Sequence, residues 1–167
     1  DFKEAGLELK CSPLKTLKNG DFRSKERLVL NIINYLKVHE EDFESSSFWK
    51  KNAHLLLVFY LHDRDLNLLD YIIKLVDGWK YPSEDLKIIK HDWETINKKI
   101  KEGKAHELSE GDTFYLGACT KGSTALKSFR DQPFNKEQAK QRAYSLKQGY
   151  VNHIIANIAQ EETAVYG

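Results

Sequence analysis

The run from His54 to His62, HLLLVFYLH, constrains the fold more than any other stretch of the chain. Its seven consecutive apolar residues, Leu55 to Leu61, fall far short of the ~20 that cross a bilayer as a helix. They are too continuously apolar for a strand with one face in water. This run and YIIKLVDGWKY (71–81) predict two strands, one of them a buried central one. LELKC (7–11) predicts an opening strand, with Leu7, Leu9 and Cys11 packing inward and Glu8 and Lys10 sharing the polar face. RLVLNIINYL (Arg27 to Leu36) predicts a strand returning beside the first, after a turn marked by Asn19-Gly20.

Helices fill the intervals. Polar EEDFESSSFWKKN predicts a loop with a short helix. YPSEDLKIIKHDWETINKKIKEGK predicts a long helix, with Ser83 as N-cap, Glu84 and Asp85 at its positive start and Gly103 closing its far end. Leu86, Ile89, Trp93, Ile96 and Ile100 make one apolar stripe for the core. DTFYLGACTKG predicts a strand, followed by a basic, turn-rich stretch. RAYSLK predicts a short strand and GYVNHIIANIAQ a final amphipathic helix. Strands mixed with helices imply an α/β (mixed α+β) fold in a single domain spanning 1–167.

Several functions are excluded at this level. A net charge of +1 argues against a uniformly basic nucleic-acid binder, so any basic surface is local. Cys11 and Cys119 form no CxxC and no zinc pattern with histidine, and reduced thiols in the cytoplasm are the expectation. No membrane segment or secretory signal is visible. The six histidines, at 39, 54, 62, 91, 106 and 153, lack ligand spacing and read as surface or packing residues. Trp49, Trp79 and Trp93 read as core, and Cys119 as packing.

Charge gathers at one end. Between Ala118 and Tyr150, Lys121, Lys127, Arg130, Lys136, Lys140, Arg142 and Lys147 face only Asp131 and Glu137, a net of +5. With Tyr144 and Tyr150 interleaved, this pattern suits a surface that meets phosphate backbone.

At the other end, Asp1, six residues, Glu8, Leu9 and Lys10 fit a D…(D/E)xK pattern. Phosphodiester cleavage uses a divalent cation to polarise the phosphate and acidify a water, and hard Mg²⁺ takes carboxylate and carbonyl oxygens. Asp1, Glu8 and the Leu9 main-chain carbonyl are candidate ligands. Lys10 is the candidate for orienting water or offsetting charge on the five-coordinate phosphate.

DFKEAGLELK resembles the catalytic strand of the MutH-like family of GATC-specific endonucleases. The resemblance continues in order through SKERLVLNIINY, DWETI, GKAHELSEG, CTKG and QRAYSLKQGY, to about Ile158, and is closest to the staphylococcal-type restriction enzymes. It implies a restriction-endonuclease-like PD-(D/E)xK core and a two-armed cleft with DNA between the arms. Asp1, Glu8 and Lys10 correspond to the catalytic residues. Thr120 and Lys121 fall on the loop that reads bases in the major groove, and Arg142, Ser145 and Lys147 on another DNA-contacting strand end.

The implied activity is Mg²⁺-dependent cleavage of double-stranded DNA at GATC by a type II restriction endonuclease. Alternatives are a mismatch-repair enzyme that nicks one strand at GATC, and a non-catalytic DNA-binding effector copy of the fold. The family also has a glutamate on a helix upstream of the aspartate and a nearby glycine-containing loop. The sequence begins after both, which predicts that an upstream segment, or a second domain, belongs to the same enzyme and that the bare chain cuts poorly.

Overall fold

The computed structural model describes residues 3–122 and 128–166. The chain forms two compact units, each assembled from separated segments. The first takes residues 1–28, 54–80 and 147–167; the second takes 29–53 and 81–146.

Unit 1 is built on a four-stranded sheet of β1 (Glu8–Thr16), β2 (Phe22–Ser24), β4 (His54–Leu61) and β5 (Ile73–Lys80), in the order β2-β1-β4-β5. The apolar run is β4, paired on both sides as its composition demands: parallel to β1 and antiparallel to β5. Leu55, Leu57 and Phe59 alternate into the core. Asn19 and Gly20 occupy the β1–β2 turn, where Gly20 takes a left-handed φ of 91°. The partner of β1 at this edge is therefore the short β2 and not the strand expected from Arg27 to Leu36.

That stretch instead supplies β3 (Leu28–Ile32), which belongs to another sheet and gives way at Tyr35 to a single helical turn, α1 (Tyr35–Val38). Local sequence records the propensity of a strand and not its partner, which is set by contacts far along the chain. Helix α4 (Gln148–Tyr166) completes unit 1. Its Tyr150, Val151, Ile154, Ile155 and Ile158 are buried at helical spacing. Its Asn152 and Gln148 side chains bond the N–H and the carbonyl of Ser24, both at 2.8 Å, so the buried end of β2 keeps no orphaned backbone group.

Unit 2 holds the sheet β3-β9-β6, made with β6 (Leu116–Thr120) and β9 (Arg142–Leu146), and a two-stranded hairpin of β7 (Phe129–Gln132) and β8 (Asn135–Lys140). The short helix α2 (Ser47–Asn52) is capped by the Ser46 hydroxyl, which accepts from Trp49 N at 3.0 Å. Helix α3 (Ser83–Lys101) buries Ile89, Trp93, Ile96 and Ile100, the expected stripe, while Leu86 stays half-buried. Ser83 is its first helical residue; Pro82 takes the N-cap position, because its fixed φ and extended ψ turn the chain into the helix one residue earlier. Gly103 closes the far end with φ 70°.

The basic stretch after β6, expected as turns, contains the β7–β8 hairpin, whose polar, mostly exposed strands carry no alternation of apolar residues to signal them. Tyr144 and Tyr150 do not interleave a basic surface. Both are buried, because each ring sits on the inward side of its element. Among the described residues, no helix is long and apolar enough to cross a membrane.

Candidate active site and nucleic-acid interface

In unit 1 the register of β1 on β4 sets Glu8 opposite Leu55, Lys10 opposite Leu57 and Ser12 opposite Phe59. Directly opposed residues share a sheet face, so the acid, the amine and the serine lie on the face that carries the β4 core residues. This reverses the expected facing of β1. Glu8 and Ser12 are buried, whereas Leu9 is 36% exposed and Cys11 is exposed.

The far end of the strand gives the reason: Leu14, on the same alternating face as Glu8, Lys10 and Ser12, is fully buried. Lys10 Nζ donates to Glu8 Oε1 at 2.7 Å, with side-chain exposures of only 15% and 7%. A carboxylate withdrawn from water needs such a partner, since desolvation otherwise costs several kcal/mol per ion. Farther along the same face, the buried Ser12 hydroxyl has no hydrogen-bond partner among the described residues.

Asp1, the other expected catalytic acid, lies outside the described residues. Among the described residues no group of three or more His, Cys, Asp or Glu is placed to hold a metal ion. Glu8 and the adjacent Leu9 carbonyl are nonetheless hard oxygen donors, the kind a Mg²⁺ ion takes.

In unit 2 the strand end carrying Thr120 and Lys121 is closely framed. Thr120 pairs with Arg142 across β6 and β9, and both Thr120 and Lys121 are exposed. Lys121 N donates to Gln141 O at 2.9 Å, and Gln141 N donates to Ser128 O. Gly122, with φ 141°, lies so close to Ser128 that an added Cβ would stand 2.8 Å from the serine Cβ. The connection leaving Lys121 and returning at Ser128 is thus pinched at its base, and it presents the lysine beside the pinch. Lys127 lies outside the described residues.

The other expected contacts separate. Arg142 is half-buried beside Thr120, whereas Ser145 on β9 is fully buried opposite Gly117 of β6, with a hydroxyl that finds no partner among the described residues. Burial withholds Ser145 from any ligand in this structure. Lys147 is half-buried just before α4 and belongs to unit 1.

Sequence reasoning missed Asp92. This buried α3 carboxylate accepts from Phe114 N, Tyr115 N and Leu116 N at 2.7 to 2.9 Å, fixing the start of β6. The only signal was an acid next to the apolar stripe, which alone reads as surface.

The sequence is similar to known proteins. The family model described as "DNA mismatch repair enzyme MutH" matches residues 1–92. The chain is 55% identical over 158 residues to the type II restriction enzyme Sau3AI of Staphylococcus aureus. That match takes in 93% of this chain and 32% of the relative, so the chain spans about a third of the relative's length.

Proposed function

The chain belongs to the MutH family, and on that premise we propose that it is the catalytic part of a type II restriction endonuclease cutting double-stranded DNA at GATC. The single observation that carries this reading is the inward Glu8–Lys10 ion pair on β1, a charged pair that packing alone does not require. The restriction-endonuclease-like core and the two-armed DNA cleft of the family are part of the proposal, as are a cytoplasmic location and a further segment or domain of the same enzyme.

The site residues keep the roles their chemistry allows. Asp1, Glu8 and the Leu9 carbonyl would hold Mg²⁺, which when bound supplies a Lewis acid for the phosphate and lowers the pKa of a water. Lys10 offers a positive charge to the phosphate oxygens as negative charge builds in the transition state. Lys121, exposed beside the pinched loop base, reads a base edge in the major groove, where lysine suits the guanine O6 and N7 acceptors. Thr120 and Lys147 add contacts that position the duplex.

The family model's own description favours a second reading, a mismatch-repair nicking enzyme. One assay separates the two. Duplexes with a single GATC, unmethylated, hemimethylated or fully methylated, are incubated with the chain and Mg²⁺, and both strands are sequenced at their ends. Cuts in both strands of unmethylated DNA support the restriction enzyme; a nick confined to one strand of hemimethylated DNA supports the alternative. No cleavage of any duplex even with the upstream segment supplied and Mg²⁺ raised, GATC still being bound, would leave a DNA-binding copy of the fold.

A further inference from the structure

Arg142 stands in the basic stretch and invites assignment as a phosphate contact, yet its side chain is committed elsewhere. Its Nη1 donates to the carbonyl of Ala118 at 2.7 Å, two residues back along β6 from its strand partner Thr120. The guanidinium therefore lies back along the sheet, away from the Lys121 end, and its Nε is buried without a hydrogen-bond partner among the described residues. The main-chain carbonyl of Arg142 accepts from Ile33 N at 2.9 Å. One residue thus fastens β6, β9 and the chain leaving β3. The neighbouring Gln141 carries both bonds that pinch the loop base, from Lys121 N and to Ser128 O.

We propose that Arg142 is a positioning residue: it fixes the end of β6, and so the backbone of Lys121, in the pose that reads the base, without contacting DNA itself. The inference rests on the proposed DNA-reading role of Lys121. Arginine suits this work because its planar fork presents several donors in fixed directions, which a lysine head does not reproduce. A charge-assisted bond to a carbonyl, made between strands of one sheet, also resists loosening when a ligand approaches.

The test uses the full chain with Arg142→Met, which keeps the stem and removes the head, and Arg142→Lys, which keeps the charge. Amide exchange at Lys121 without DNA is expected to accelerate about tenfold or more in the methionine variant, as loss of a charged hydrogen bond implies. Competition between a GATC duplex and its scrambled counterpart is expected to show about a tenfold loss of GATC preference, with non-specific affinity and its salt slope unchanged. The lysine variant should recover only part of either effect, and it carries the same comparison if the methionine variant fails to fold.

Unchanged exchange at Lys121 with a salt slope lower by about one would make Arg142 a phosphate contact and overturn the proposal. So would full recovery of GATC preference by lysine while Lys121 exchange stays fast. Absence of GATC preference in the unaltered chain would instead strike the proposed function, and the exchange measurement would still decide whether Arg142 holds the loop.

Discussion

Lys10 is the residue whose removal should be felt twice. Its ammonium is 2.7 Å from a carboxylate that is nearly shut off from water. Lys10→Met removes that ion-pair partner, so it is expected to cost on the order of 3 kcal/mol in stability, measured by urea unfolding, and to abolish cleavage. Glu8→Gln removes the charge itself and keeps the volume. It should cost distinctly less stability while also abolishing cleavage, with GATC binding kept within a few-fold. Cleavage near the unaltered rate by either variant would remove the pair from the chemistry. Lys121 makes the opposite case, an exposed side chain with little packing to lose. Lys121→Ala should leave the melting temperature unchanged and weaken GATC binding by about 1–3 kcal/mol, since that is the discrimination a good base-edge contact supplies. Equal weakening on scrambled DNA would reduce it to a phosphate contact.

Single elements show where sequence carries structure and where it stops. The α3 stripe from Ile89 to Ile100 and the closing turn at Gly103 were readable because helical period and left-handed glycine are local properties. That 54–61 and 73–80 form strands, one of them central, was readable for the same reason. The facing of β1 was not, because an alternating strand has two faces and the usual choice puts Leu9 inside; the buried Leu14 holds the other face inward and carries Glu8 and Lys10 with it. Nor was the pinched base of the Lys121 connection readable, since Gln141 and Ser128 are distant in sequence and carry no motif. Gly122→Ala tests that pinch. With φ at 141° and Ser128 Cβ 2.8 Å away, the methyl forces the strand end apart, for an expected loss of more than about 1 kcal/mol and of GATC preference. The end of α3 gives a pH test. Burial alone would raise the Asp112 carboxyl, but the Lys99 ammonium at 2.8 Å and the Ser109 N–H hold it below the usual range. An unfolded aspartate titrates near about 3.9, so this clasp contributes fully above that pH and fades as pH falls through the lower folded value. Asp112→Asn should therefore be less stable than the unaltered chain at neutral pH, with the gap closing in acid unfolding. A gap independent of pH would mean that the carboxylate charge is irrelevant.

At the scale of the molecule, the chain passes between its two units four times, after residues 28, 53, 80 and 146. Each unit therefore depends on pairings between distant segments, the kind that form late because loop closure must be met first. Unit 2 shows the dependence most clearly. Residues 81–146 contain α3 and strands β6 to β9, but not the 29–53 segment that lines β9 with β3. That segment also supplies the Tyr35 hydroxyl on Lys140 O at 2.6 Å, the Phe48 ring 5.0 Å from Tyr144 and the Phe43 ring 5.8 Å from Trp93. Without it, β9 becomes an open edge and the aromatic core loses one wall, so a fully buried tyrosine would face water. The fragment 81–146 alone is expected to give broad, non-cooperative thermal unfolding and poorly dispersed amide resonances. Joining 29–53 to 81–146 through a flexible Gly/Ser linker is expected to restore a cooperative transition, because the missing strand and rings return without any residue of unit 1. A cooperative transition in the bare 81–146 fragment would show that the sheet β9-β6 and α3 suffice, and that the 29–53 segment only decorates a core already complete.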